Sequence, residues 1–237
     1  MLARLKRIIS PQHEKTEAEF GKIARILQDI PHTSAEQGLN LYNFVLENRV
    51  RNILELGFAH GTSTCYLAAA LARGPSEGRV VTIDNRSALG LQPSIFDLLE
   101  RTGLQRLVTP ILAHRSYTWE LMKLIEKRTH HGTCHPLFDF VFIDGAHSWD
   151  TDGLAFFLAN KLLRPGAWIL FDDLGWTFGQ SPTMKDTETV RNMAEDEIKT
   201  PQVAKVFDLL VRQHPDFDSF RVDGWWGWAR KRPQHRN

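Results

Sequence analysis

The sequence is poor in cysteine, with Cys65 and Cys134 the two in 237 residues. Two thiols cannot build a disulfide framework, so a reducing, cytoplasmic setting is expected. It also has no surplus of charge of either sign. Lys and Arg number 29 against 28 Asp and Glu, a formal net charge of +1. That balance argues against a broad nucleic-acid footprint and against a polybasic membrane patch. No apolar run nears the ~18 residues of a membrane span. The stretch Met1 to Ser10 has Arg4, Lys6 and Arg7 among its apolar residues, so it lacks the uninterrupted apolar core of a secretory leader. Internal repeats and low-complexity segments are missing too. What is present is ordinary: 42% hydrophobic and 24% charged residues, a composition typical of globular chains. A chain of this length buries roughly 70% of its unfolded surface without staples.

The residue pattern predicts alternating helices and strands. Phe20, Ile23, Ile26 and Leu27 lie at helical spacing within residues 14–30, a helix expected to stop at Pro31. A second helix follows, with Thr33 or Ser34 as its cap and Glu36 and Gln37 at capping-box distance. From Asn52 onward, short apolar strands alternate with helices: strands at 52–57, 79–84, 107–112, 138–144 and 167–172, helices at 62–72, 93–101, 119–127 and 152–163. Arg164-Pro-Gly166 reads as the break between the last helix and strand. This alternation predicts an α/β fold, doubly wound and mostly parallel, with helices on both faces of the sheet. Beyond Asp173 the pattern predicts a loop, a polar helix over 186–199, a helix opening at Pro201, and two strands over 217–232 joined near Asp223-Gly224. Residues 1–30 read as a helical extension, 31–232 as the domain, and 233–237 as a basic tail that is either solvated or a phosphate site.

In such sheets ligands bind beyond the carboxyl ends of the strands, beside strand one. There the chain reads Glu55-Leu-Gly57-Phe-Ala-His-Gly61. Ala59 stands where a dinucleotide fingerprint would place its second glycine, so a pyrophosphate fits poorly and a nucleoside with a small charged tail fits better. Asp84 ends the second strand, where a carboxylate can accept bonds from ribose hydroxyls. Ala113 and His114 end the third strand, a place for adenine, although His114 also suits a surface. Strand four ends in Asp144, with His147 three residues on, and strand five ends in Asp172 and Asp173. Neighbouring parallel strands lie about 4.8 Å apart, so three carboxylates converge with no lysine nearby in sequence. Like charges that close favour a cation between them, and oxygen ligands favour a hard one such as Mg2+. The plain alternative is that these aspartates cap turns.

These motifs resemble the class I S-adenosylmethionine-dependent methyltransferases: Glu55 to Gly61 matches their first motif and Asp84 their ribose-binding acid. The resemblance implies a seven-stranded sheet with one antiparallel strand near its end. Thr33-Ser-Ala-Glu-Gln-Gly38 and Asp223-Gly224 are similar to segments of the caffeoyl-CoA and catechol O-methyltransferases. Asp173 departs from their usual Asn, and His147 from their lysine. Asp144-Gly-Ala-His147 with Asp172-Asp173 resembles instead a bacterial Asp-Gly-x-His branch that includes macrolide sugar O-methyltransferases and cephalosporin-hydroxylase-like proteins. The resemblance implies Thr33, Glu55, Gly57, Gly61, Asp84, Ala113, His114 and Asp144 as cofactor-binding residues. It implies Asp144, Asp172 and Asp173 as ligands of Mg2+ or another divalent cation, and His147 as the base.

The implied activity is metal-dependent O-methylation of a small hydroxylated acceptor such as a sugar diol, catechol or natural-product intermediate, with no nucleic-acid or membrane partner. Two alternatives stay open: an RNA or protein methyltransferase, and a non-methylating S-adenosylmethionine-binding protein of the cephalosporin-hydroxylase-like type. Trp176 and Phe178 read as acceptor-pocket walls or as packing, and Trp225, Trp226 and Trp228 as packing of a late strand. His130, His131, Cys134 and His135 superficially resemble a zinc cluster, but their spacing fits no standard site. The apolar stripe of residues 14–30 is expected to cover the site or to join copies in a homodimer or higher homo-oligomer.

Overall fold

The computed structural model describes residues 11–74 and 78–234, with side chains from residue 19 onward. The expectations for residues 1–10 and for the end of the tail, 235–237, lie outside the described residues. The chain opens with α1 (Pro11–Ile26) and α2 (Ala35–Glu47). Of the two candidate caps, Ser34 holds α2: its hydroxyl accepts the Gln37 N–H at 3.2 Å, and the Gln37 side chain accepts the Ser34 N–H at 2.9 Å. Then come β1 (Asn52–Leu56), α3 (Thr62–Arg73), β2 (Arg79–Asn85), α4 (Ile95–Thr102), β3 (Val108–Ala113) and α5 (Tyr117–Arg128). A small hairpin, β4 (Thr129–His130) with β5 (Thr133–Cys134), precedes β6 (Phe138–Ile143), α6 (Trp149–Leu162) and β7 (Leu163–Phe171). The last part holds α7 (Glu188–Arg191), α8 (Glu195–Lys199), α9 (Gln202–Val206), β8 (Phe217–Asp223) and β9 (Trp226–Lys231).

Seven strands form one sheet in the order β3-β2-β1-β6-β7-β9-β8. The first five are parallel; β9 runs antiparallel to both β7 and β8. Strand alternation divides the core. Ile53, Phe140 and Phe142 face α2 and α3, while Leu54, Val141 and Ile143 face α5 and α6. The chain steps from β1 outward to β2 and β3, then returns past β1 to β6. The crevice beyond the ends of β1 and β6 is therefore the place a ligand would enter. Among the described residues no helix is long and apolar enough to cross a membrane.

Several boundaries differ from expectation. The first helix ends at Ile26 rather than at Pro31, and its apolar stripe is used internally. Phe20 stacks on Tyr66 at 5.3 Å and meets Tyr42 edge-on at 5.4 Å, so part of this stripe packs on α2 and α3. Arg164-Pro-Gly166 does not break the chain: β7 starts at Leu163, directly after α6, and the segment forms an irregularity opposite Phe138–Phe140. The polar helix over 186–199 is two short helices, because only Val190 in α7 and nothing in α8 is buried to hold a longer one.

Candidate active site

The ends of β1, β6 and β7 are stitched together by backbone hydrogen bonds, Asp144 N–H to Leu56 O at 2.8 Å and Asp172 N–H to Ile143 O at 3.0 Å. Gly57 leaves β1 with φ +87°, and a Cβ built there would sit 1.9 Å from the Asp144 carbonyl oxygen. Only glycine lets the two strand ends approach this closely. Gly61, with φ +93°, then opens α3. Between them the turn is clamped by Asp84, whose Oδ2 accepts the N–H groups of Phe58 at 2.8 Å and Ala59 at 2.7 Å.

Above this turn lies a cavity of about 590 Å3 whose lining includes Thr33, Gln37, Gly57, Asp84, Asp144 and His147. It adjoins a second of about 420 Å3 that shares Asp84 and His147 and adds Asn85, Ser116 and Tyr117. The structure thus brings Thr33, Gly57, Asp84 and Asp144 of the expected cofactor set around one space, with Gly61 shaping its base. Three expected members do not reach it. Glu55 is fully buried under the turn, where its carboxylate accepts bonds from Ser63 at 2.7 Å, Thr64 at 2.5 Å and Thr82 at 2.6 Å. Burial pushes its carboxyl above the usual range, and the three hydroxyls pull it back. Ala113 is fully buried between strand and helices. His114 is exposed and lies against Arg86, its ring nitrogens 3.2 and 3.3 Å from the guanidinium. Asn85, Arg115 and Ser116, from the same end of the sheet, line the second cavity instead.

At the far side of the first cavity stand the acids. His147 Nε2 is 3.0 Å from Asp173 Oδ2 and 3.6 Å from Asp144 Oδ1. One ligand atom from each of Asp144, His147 and Asp173 lies within 4.8 Å of the others, the one such group among the described residues. Asp172, also expected as a ligand, lines the same cavity beside this group, 9% exposed, with one carboxylate oxygen accepting the Asp173 N–H at 2.7 Å. His147 joins the two other expected acids in the donor group. His130, His131, Cys134 and His135 form no such group; they belong to the β4–β5 hairpin and its flank.

The cluster is electrostatically uncomfortable. Burial, with Asp172 and Asp173 close by, pushes Asp144 up to about 8 despite its bond to His147. Burial and Asp173 push Asp172 up to about 6. Burial alone would lower His147, but Asp144 and Asp173 outweigh it and raise the imidazole to about 10. In the metal-free chain His147 is therefore the cation of the cluster at neutral pH. Its ring lies 4.8 Å from that of Trp176, which lines both cavities, while Phe178 is buried and packs edge-on against Trp176.

Two residues of this site escaped the sequence reading. The Tyr117 hydroxyl accepts the Ala146 N–H at 3.1 Å and donates to the carboxylate of Asp152, which is 1% exposed. This buried pair fixes the loop carrying His147. The available signal was a tyrosine at the start of one helix and an aspartate inside the next, both on faces turned toward the sheet. Tyr117→Phe removes the hydroxyl that joins the amide to the carboxylate, so a loss of about 1–3 kcal/mol in stability is expected. Turnover should fall more than cofactor affinity; chemical denaturation, steady-state rates and calorimetry on the same variant check this.

A model of the methyltransferase-domain family matches residues 54–174. Among solved structures, an O-methyltransferase from Bacillus cereus in complex with SAH is 24% identical. That alignment covers 95% of this chain and 94% of that one, with a TM-score of 0.60. TomG from Streptomyces achromogenes, an O-methyltransferase involved in tomaymycin synthesis and solved with SAM, is 24% identical over 90% of this chain and 89% of its own, TM-score 0.58. The SAH-bound methyltransferase PaMTH1 of Podospora anserina is 16% identical over 98% of each chain, TM-score 0.64. At these identities the likeness is one of fold. No curated protein matches the chain in sequence. The sheet order, the glycine turn clamped by Asp84, and a family model covering half the sequence converge: the chain belongs to the methyltransferase-domain family.

Proposed function

We propose that the protein transfers a methyl group from S-adenosylmethionine to a hydroxyl oxygen of a small molecule, with a divalent cation at Asp144, His147 and Asp173. The observation that carries this is the placement of that donor group on the wall of the cavity bounded by the Gly57 turn and Asp84. The catalytic unit is 31–232, with α1 as an extension packed on it. The near-neutral charge of the chain and the acidic edge of the cavity favour a small acceptor over RNA.

The donor group fits a cation on its own chemistry. Its ligand atoms are close enough to share one ion, and burial first, with neighbouring carboxylates second, pushes Asp144 and Asp172 upward, a state that a cation would relieve. An imidazole among the oxygens widens the choice from Mg2+ toward Mn2+ and other nitrogen-tolerant ions. When bound, such an ion supplies Lewis acidity that stabilises an acceptor oxyanion. The chain's own residues do the rest. Asp84, whose carboxylate stiffens the turn, would bind the ribose hydroxyls. The Tyr117–Asp152 pair holds the loop of His147. Trp176 shields one side from water. His147 Nε2 can serve the ion as a ligand or the acceptor as a proton acceptor, but not both at once, and for either role it must first lose the proton that Asp144 and Asp173 hold on it.

Calorimetric titration with S-adenosylhomocysteine tests the cofactor half of the proposal. Micromolar binding by the wild type and at least about tenfold weaker binding by Asp84→Ala are expected. The absence of binding by the wild type would overturn it. Methyl transfer to diol acceptors with Mg2+ or Mn2+, and its loss on chelation, tests the metal half; undiminished transfer with a chelator would sink it.

A further inference from the structure

A third cavity, about 650 Å3, also reaches the acids. It shares Gln37, Asp172 and Asp173 with the first, so the two adjoin at the same cluster. One wall is a polar stripe of α2, formed by Glu36, Asn40, Asn43 and Glu47; the other is the turn end of the β8–β9 hairpin. Resting on the reading above, we infer that this groove is the acceptor subsite and that it selects polyhydroxylated molecules bearing a protonated amine.

Three observations carry the inference. The first is charge. Glu36 and Glu47 are exposed and have no ion-pair partner among the described residues. Arg221 is the one cation in the lining, and it is already engaged: its Nε lies 2.9 Å from Asp223, and its guanidinium sits 5.1 Å over the Trp228 ring. The groove stays negative even when the carboxylates of the metal cluster are left out. A carboxylate, phosphate or other anionic acceptor would be repelled, and an ammonium attracted.

The second observation is an unpartnered donor. Trp228 lines the groove and is 2% exposed, yet its indole N–H has no hydrogen-bond partner among the described residues, whereas the Trp226 indole is engaged by the Asp172 carboxylate. A buried indole N–H usually finds an acceptor, and the hydroxyl or ring oxygens of a bound polyol would supply one. Asn40 and Asn43 add donors and acceptors of the same kind. The third is Trp225, at the rim and 54% exposed, which offers an aromatic face to sugar C–H groups or to an ammonium. Carboxylates alone would suit any cation. Carboxylates with a waiting N–H donor, two asparagines and an open indole suit an amino sugar or an amino alcohol.

The test is equilibrium binding to the full chain saturated with S-adenosylhomocysteine, read by tryptophan fluorescence and by calorimetry. The probes are glucosamine, glucose and glucuronate, which differ chiefly in charge, used below neutral pH so that the amine is protonated. Glucosamine is expected to bind at least about tenfold more tightly than glucose, and glucuronate more weakly still. Glu36→Gln and Glu47→Gln, both on the helix surface, should each weaken glucosamine several-fold and leave glucose unchanged, and Trp225→Ala should abolish most of the fluorescence response. Equal binding of glucose and glucosamine, preference for glucuronate, or indifference to both glutamate variants would overturn the inference. Failure of S-adenosylhomocysteine to bind would instead overturn the methyltransferase reading. The amine preference, measured without it, would still decide the groove.

Discussion

Asp144→Asn is expected to abolish methyl transfer, by about a thousandfold or more, while making the metal-free protein harder to unfold. The two effects have one cause. Asp144 ends β6 where Asp172 and Asp173 already crowd the space, and its carboxyl is pushed up to about 8. A carboxyl raised above its unfolded value favours the folded state when protonated. Its ionisation begins to weaken the fold as pH rises past the unfolded value near 4, and the full cost is reached above about 8. Asparagine cannot ionise, so the cost vanishes in the variant, at the expense of the charge that would hold a cation. With a chelator present, the variant should therefore melt higher than the wild type above neutral pH, by about 2–4 °C for each kcal/mol relieved. The difference should shrink as pH falls toward 4. Added Mn2+ should raise the wild-type midpoint and leave that of the variant unmoved. A variant that melts lower than the wild type at every pH would show that Asp144 is held by its bond to His147 more than it is strained by its neighbours.

Gly57→Ala is expected to be the most damaging single-methyl substitution in the chain. The added Cβ would fall 1.9 Å from a backbone oxygen, with no flexible side chain to yield, at φ +87°. Left-handed backbone alone costs roughly 1–2 kcal/mol, and separating β1 from β6 should bring the total to about 3 kcal/mol or more. For a chain of this size that lowers the midpoint by about 6–12 °C. Cofactor binding should go with it, since the Phe58 and Ala59 amides of the same turn hold the Asp84 carboxylate. Gly103→Ala is the internal control: its φ is +70°, and nothing lies within 4 Å of its Cβ position. It should show the backbone cost alone. Equal losses at the two positions would remove the argument from close approach.

Much of this was legible in the sequence because it depends on periodicity and on strand ends. Alternation of apolar strands with helices fixes a parallel sheet, and a parallel sheet puts all carboxyl ends on one edge. Gly57, Asp84, Asp144 and the Asp172-Asp173 pair could be brought together without coordinates. What failed was direction at single-residue resolution. Glu55 follows Leu54 on β1 and so points to the opposite face, under α3, where three hydroxyls satisfy it. Asp172 is the last residue before the chain turns at Asp173, which adopts φ +59° and swings its carboxylate to His147. Sequence spacing could not choose between these adjacent carboxylates. His147 was legible as a member of the site but not as its internal cation, because that role depends on two distances of 3.0 and 3.6 Å. The hydrogen bonds between Tyr117, Ala146 and Asp152 join residues up to 35 apart in sequence, and nothing local announces them.

The backbone at the site also limits which sequences can drift through it. Ala59, His147 and Asp173 all have positive φ, at +43°, +56° and +59°. Apart from glycine, Asn, Asp and His are the residues that enter this region most readily. At 147 and 173 the choice of side chain is thus narrowed by conformation before any chemistry acts on it. Asp and Asn are the pair that can exchange at 173 with little conformational cost, and they differ by one unit of charge. A lineage could therefore retune the charge beside His147 through a single substitution while the loop keeps its shape. A lysine at 147 would have to bear the left-handed backbone without that tolerance, so the histidine and the bend that carries it are expected to be inherited together.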